Sequence, residues 1–136
     1  MHISDGSPYT DGPVPSDVRA VAIGWLDASH PYPSGSVDDD FVADLFDACR
    51  AHATTRTRGW HQCPLCPAEA RKTVGGTEAV RDGESVLLGD AEIRVVATDG
   101  TWLSAPTLVL HYVTDHAYLP PPEFIEAVSA GRFAPS

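Results

Sequence analysis

At 136 residues the chain has room for one well-filled core but not comfortably for two. Hydrophobic residues at 43% and charged residues at 21% are ordinary globular values, while twelve prolines and eleven glycines argue against a helical bundle and for a loop-rich fold. A net charge of −10 repels nucleic-acid phosphate, and no apolar run approaches the roughly 20 residues needed to span a bilayer.

The charge is unevenly placed. Residues 1–49 hold nine acids against Arg19, residues 50–72 hold Arg50, Arg56, Arg58, Arg71 and Lys72 against Glu69, and the remainder is acidic again. Only the middle segment could meet an anion. The first residues, with Asp5 and Asp11 and no early lysine or arginine, lack the charged start of a secretory signal, so a cytoplasmic location is expected. Three cysteines are an odd number, and Cys63 and Cys66 have a spacing that in a reducing compartment suggests metal or redox chemistry.

Residues 1–17, with Pro8, Gly12, Pro13 and Pro15, read as an extended, partly mobile lead-in to a single domain over 18–136. Val18 to Leu26 is a short run rich in β-branched residues, expected as a central buried strand. His30 to Gly35 is a proline loop, with His30 packed on Tyr32. Ser36 to Asp39 resembles a capping box opening a helix over 37–53. The Asp38-Asp39-Asp40 run then falls in the first turn, where it complements the helix dipole and needs no metal to explain it. Phe41, Leu45, Cys49 and His52 follow on one stripe, which makes Cys49 a packing thiol.

In the segment from Gly59 to Pro67, prolines exclude regular helix and leave a tight turn between the cysteines, as in a zinc knuckle. Residues 73–85 read as a glycine-rich polar loop; Val86 to Leu88 and Glu92 to Ala97 read as strands parted by Gly89-Asp90. Asp99-Gly100 turns the second of these into Thr101 to Leu103. Ser104 can cap a helix over 105–116 with Pro106 in its first turn. A last helix from Glu123 to about Ala130 stops at Gly131. The expected core gathers Trp25, Phe41, Leu45, Val95 and Leu110, with Trp60 and Trp102 also read as packing aromatics.

Zinc favours thiolate and imidazole in a tetrahedron, and Cys63, Cys66, His111 and His116 supply two of each, giving a site of nearly zero net charge. The basic residues of 50–72 are expected to favour ionised sulfur. Because 44 residues separate Cys66 from His111, tertiary structure must close the site. The order knuckle, hairpin, ligand-bearing helix is that of an α+β, treble-clef-like zinc domain. His116 lies five residues after His111, which on an ideal helix turns it well away, so the helix end must loosen there. His61, two residues before Cys63, competes with His116 as a ligand; His30 is a weaker candidate. Asp115 could orient an imidazole. A redox pair at Cys63 and Cys66 is disfavoured because Pro64 and Pro67 leave no helix for it to open.

The segments Gly24 to Tyr32, Gly59 to Cys66 and Ala105 to Phe124 resemble those of a family of small bacterial proteins, mostly actinobacterial. That resemblance implies a unified domain and carries no activity. A cytidine deaminase would need a His-x-Glu before its cysteine pair, and none is present. The residues point first to a structural-zinc module that binds a partner, most simply another protein. Tyr118, Pro120 to Pro122 and the basic segment are the expected contact surfaces. The alternative is a zinc hydrolase using three of these ligands, a water, and Asp115 or Glu123 as base. Nucleic-acid binding is the least supported, since no reading motif is present.

Overall fold

The computed structural model describes residues 3–9, 14–54, 61–66 and 77–135. It is an α+β arrangement of five strands and three helices among those residues: β1 (Ala20–Ala22), α1 (Asp39–Ala51), β2 (Thr77–Arg81), β3 (Glu84–Leu88), β4 (Glu92–Val96), β5 (Trp102–Pro106), α2 (Val109–Asp115) and α3 (Pro122–Ala130). One sheet has the order β1-β5-β4, with β1 parallel and β4 antiparallel to β5; β2 and β3 form a separate antiparallel hairpin.

Several strands depart from the sequence reading. β1 is three residues long and is not the central strand; β5 is. The N-terminal residues cover its free side, with Tyr9 N–H donating to Ala20 O at 2.9 Å and Ala22 N–H to Ser7 O at 2.8 Å. The segment read as a polar loop contains β2, which turns through Asp82 (φ 51°) and Gly83 (φ 81°) into β3. Two successive left-handed residues are what a tight hairpin turn requires, and Asp-Gly supplies them readily.

β5 runs on to Pro106, so Ser104 lies in a strand and caps nothing; α2 begins only at Val109. Proline is tolerated at that end because β1 pairs no further than Ser104, leaving Pro106 a single strand neighbour in Glu92. α1 begins later than expected, with Asp38 rather than Ser36 as cap: its carboxylate accepts from Phe41 N–H at 2.8 Å. Such a cap is worth about 1 kcal/mol. α3 behaves as read, with Pro122 in its first turn and Gly131 at φ 71° closing it.

The buried apolar residues form one cluster in which Phe41 meets Phe124 edge-to-face at 6.5 Å and Leu45, Ile93, Val95, Leu110 and Ala127 are sealed from solvent. Cys49 is buried as expected, whereas His52 is exposed and stacks on Phe133 at 3.9 Å. Strand alternation puts Glu92 and Arg94 on the face opposite Ile93 and Val95. That face is buried as well. Both Arg94 Nε and an Arg94 terminal nitrogen donate to Glu92 Oε1, at 3.3 and 3.2 Å, and Tyr9 OH donates to Glu92 Oε2 at 2.6 Å. Paired and hydrogen-bonded, these charges avoid the several kcal/mol that an isolated buried ion costs. Tyr9 in turn stacks on Trp25 at 5.2 Å.

Candidate metal centre

The first half of the site is the turn His61 to Cys66, which is joined to the rest of the fold at Gly89. His61 N–H donates to Gly89 O at 2.8 Å, and Gly89 N–H donates to the Thr107 hydroxyl at 2.9 Å. Gly89 sits at φ 116°, and a Cβ there would collide with the His61 carbonyl oxygen. Only glycine combines this backbone geometry with so close an approach. Thr107 is buried and leads directly into α2, so the knuckle and the histidine helix share one junction.

The second half is α2 and its exit. His111 lies within the helix, while His116 is its C-cap at φ −125°, ψ 13°, followed by Ala117 in the left-handed region at φ 55°. The early end of the helix solves the spacing problem: an ideal continuation would have swung His116 away from His111. The exit is strapped by the proline loop. Tyr32 OH donates to His116 O at 2.9 Å, Gly35 N–H to Ala117 O at 2.9 Å, and Leu119 N–H to Pro33 O at 2.9 Å. Tyr118, expected on the surface, is fully buried; its hydroxyl donates to Asp5 Oδ2 at 2.7 Å and its ring meets Tyr32 edge-on at 6.2 Å. Asp5 Oδ1 also accepts from Gly24 N–H at 2.9 Å, which ties the N-terminal residues into this corner.

Between the halves, one donor atom from each of Cys63, Cys66, His111 and His116 falls within 4.8 Å of all the others. Cys66 Sγ lies 3.2 Å from His111 Nε2 and 3.4 Å from His116 Nε2; Cys63 Sγ lies 3.4 Å from His116 Nε2; the two imidazole Nε2 atoms are 3.3 Å apart. Metal bonds of about 2.05 Å to nitrogen and about 2.3 Å to sulfur give a tetrahedron whose N–N edge is about 3.3 Å and S–N edge about 3.6 Å. The four groups are therefore close enough to hold a metal ion, and the four distances given are near those of a tetrahedron's edges.

The electrostatics fit the same use. Burial holds the His111 imidazole below its ordinary pKa, against the opposing pull of Asp115, and neutral imidazole is the form that ligates. Burial, together with the adjacent Cys66, pushes the Cys63 thiol up to about 11. A divalent cation reverses that balance, since a coordinating thiol is deprotonated outright. The expected help from the basic segment is not seen at Arg50, which is exposed and paired with Glu84 at 3.1 Å; Arg56, Arg58, Arg71 and Lys72 lie outside the described residues, as does Trp60. Asp115 Oδ2 faces His111 Nδ1 at 3.5 Å, leaving Nε2 to the cluster. It is His111 rather than the neighbouring His116 that this carboxylate orients.

The competing histidines lie elsewhere. His61 is exposed and joins the site through its backbone, and His30 is held by Asp27 at 2.7 Å. His61→Ala should accordingly leave metal content unchanged, whereas His116→Ala should lower metal affinity at least about tenfold; equilibrium dialysis of the two variants against metal measures both. Tyr32 and Gly89, which position the ligands, were not singled out from the sequence. A glycine between two strand-like runs was the available signal for the second.

Fold and site together define a small α+β protein with a two-cysteine, two-histidine cluster able to hold a metal ion. The chain belongs to the family described as "Domain of unknown function (DUF7919)", which matches residues 1–129. No curated protein and no solved structure matches the chain.

Proposed function

We propose that this is a structural-zinc protein, in which the metal fastens the knuckle to α2 and the folded surface binds or regulates a partner, most simply another protein. The observation that carries the reading is the convergence of four protein donors from two distant segments at near-tetrahedral spacing. Thiolate with imidazole in that geometry suits zinc above calcium or magnesium, which take oxygen ligands. A shell filled by four side chains has no place for a catalytic water. In this reading residues 18–136 are one zinc-binding domain, treble-clef-like in its order of knuckle, hairpin and helix, working in the reducing cytoplasm where its thiols stay available.

Of the contact surfaces read in the sequence, Tyr118 and Pro120 are buried, Pro122 is exposed, and most of the basic segment lies outside the described residues. Among the described residues, the large exposed apolar ones are Val80, at 66%, and Leu87, at 47%. Val80 faces Ser85 and Leu87 faces Glu78 across the β2–β3 hairpin, so the two are diagonal neighbours on one outer face. Elemental analysis of protein prepared without chelator should return one zinc per chain, and the same protein should be silent in a hydrolase screen. Absence of metal sinks the zinc reading. Turnover that is lost on Asp115→Asn or Glu123→Gln at unchanged metal content replaces it with the hydrolase.

A further inference from the structure

The β2–β3 hairpin stands apart from the three-stranded sheet, so among the described residues β2 has β3 as its only strand neighbour. Arg81 and Glu84 flank a two-residue turn and form a hydrogen-bonded pair, and such pairs alternate along an antiparallel ladder. Ala79 and Arg81 therefore direct their N–H and C=O groups toward β3, whereas Glu78 and Val80 direct theirs away from it. No described backbone group pairs with those outward groups. An unpaired strand edge of this kind is a template for a further strand.

A cleft of about 280 Å³ opens along this edge. The four successive β2 residues 78–81 line it, no described β3 residue does, and α1 and α2 supply the rest. Its apolar lining includes Val42, Phe46 and Leu110, the last two buried. An apolar cavity of about 150 Å³ accepts a benzene ring, so this cleft has room for one side chain of an added strand. The charge left over around it is negative. Arg81 has its guanidinium engaged by both oxygens of Asp39, at 3.2 and 2.7 Å, with Asp82 and Asp47 also within electrostatic reach. Glu78 makes no ion pair with any described residue. Asp115, on the α2 side, accepts from the Thr114 hydroxyl at 2.8 Å and faces His111 at 3.5 Å. Neither partner cancels its charge, since a hydroxyl and a ligating imidazole are both neutral.

We propose that the free edge of β2 takes an extended, lysine- or arginine-bearing segment of a partner protein as a further strand, with one apolar side chain in the cleft and basic ones toward Glu78 and Asp115. Main-chain bonds to Glu78 and Val80 supply affinity, while the cleft and the two carboxylates supply selectivity. A second copy of this chain fits poorly, because each copy carries a net charge of −10 and would bring its own acidic hairpin to the edge. The proposal rests on the binding-module reading above and names the chemistry of its partner.

The test uses the zinc-loaded full chain and the peptide acetyl-Lys-Val-Lys-Val-Lys-amide, with glutamates replacing the lysines as the charge-inverted counterpart. Two further peptides carry N-methyl groups on one or the other alternate set of backbone amides. Amide hydrogen exchange read by two-dimensional NMR should slow at Glu78 and Val80 as the basic peptide saturates, and should change little at Ala79 and Arg81, which already pair with β3. The acidic peptide should bind roughly tenfold or more weakly. One of the two N-methylated peptides should lose at least about tenfold, because its strand-pairing donors are gone. Glu78→Gln should weaken the basic peptide about two- to fivefold at unchanged zinc content. Unchanged exchange at Glu78 and Val80, equal binding of the acidic peptide, or full-strength binding by Glu78→Gln or of both N-methylated peptides overturns the proposal. So does protection of those two amides that grows with protein concentration when no peptide is present, which gives the edge to a second copy. Zinc measured on the same samples separates the two readings. A peptide-silent protein holding one zinc overturns the edge site alone, whereas peptide bound by a protein without zinc keeps the edge site and removes the zinc.

Discussion

Replacing Cys63 with Ser together with His111 with Ala should abolish metal binding and unfold the domain. Each half of the site loses one ligand, and in the structural-zinc reading the two that remain are too few to hold the metal that fastens the segments together. Structural zinc in small domains is worth about 10–16 kcal/mol of apparent binding free energy near neutral pH, more than the roughly 5–15 kcal/mol that holds a typical domain folded. Losing it should leave the cooperative unfolding transition absent or greatly lowered in temperature. A chelator of sufficient strength should do the same to the unaltered chain, and added zinc should restore it. The direction of pH follows from the ligands: two thiols and two imidazoles must be unprotonated to hold the metal, so acid should release it and alkali should not. Circular dichroism melts with and without chelator measure the effect. Melts that coincide would mean that the hydrophobic cluster around Phe41, Ile93 and Phe124 carries the fold without a metal.

Gly89→Ala should produce nearly as large an effect while leaving all four ligands in place. Gly89 holds φ 116°, and its Cβ position is taken by the His61 carbonyl oxygen. An alanine there must either move the knuckle or break the His61 N–H to Gly89 O bond of 2.8 Å. The backbone strain alone is of order 1–3 kcal/mol, and the displaced turn carries Cys63 and Cys66 with it. Metal affinity should fall at least about tenfold, with a lower melting temperature, although no ligand has changed. Gly83→Ala is the matched control: it too has positive φ, at 81°, but a Cβ there meets nothing within 4 Å. It should cost backbone strain without loss of metal. Equal metal affinities for Gly89→Ala and the unaltered protein would show that the knuckle does not hang from this glycine.

Parts of this arrangement were legible because they rest on local chemistry. The 3.6-residue stripe of Phe41, Leu45 and Cys49, the stop at Gly131 and the Asp99-Gly100 turn each need only a few adjacent residues to specify them. The four donors were legible for a different reason: a cysteine pair in a cysteine-poor chain demands partners, and two histidines five apart provide them. What could not be read depends on distant segments. Ser104 and Pro106 look like a helix start, yet pairing with β1 and β4 keeps that segment extended and postpones α2 to Val109. Tyr118 looks like a surface aromatic beside prolines, and its burial rests on distant partners, the carboxylate of Asp5, 113 residues earlier, and the ring of Tyr32. The β2 strand was missed despite a local signal, because Asp82-Gly83 has the same turn chemistry as Asp99-Gly100 but lies in a stretch whose glycines and polar residues read as loop.

The measurement that bears most directly on the structural-zinc reading is X-ray absorption at the zinc edge of protein purified without chelator. Two sulfur atoms at about 2.3 Å and two imidazole nitrogens at about 2.05 Å, with no oxygen ligand, is the expected first shell. A shell containing a water oxygen, or only three protein donors, would contradict the structural role and mark the site as one built for catalysis.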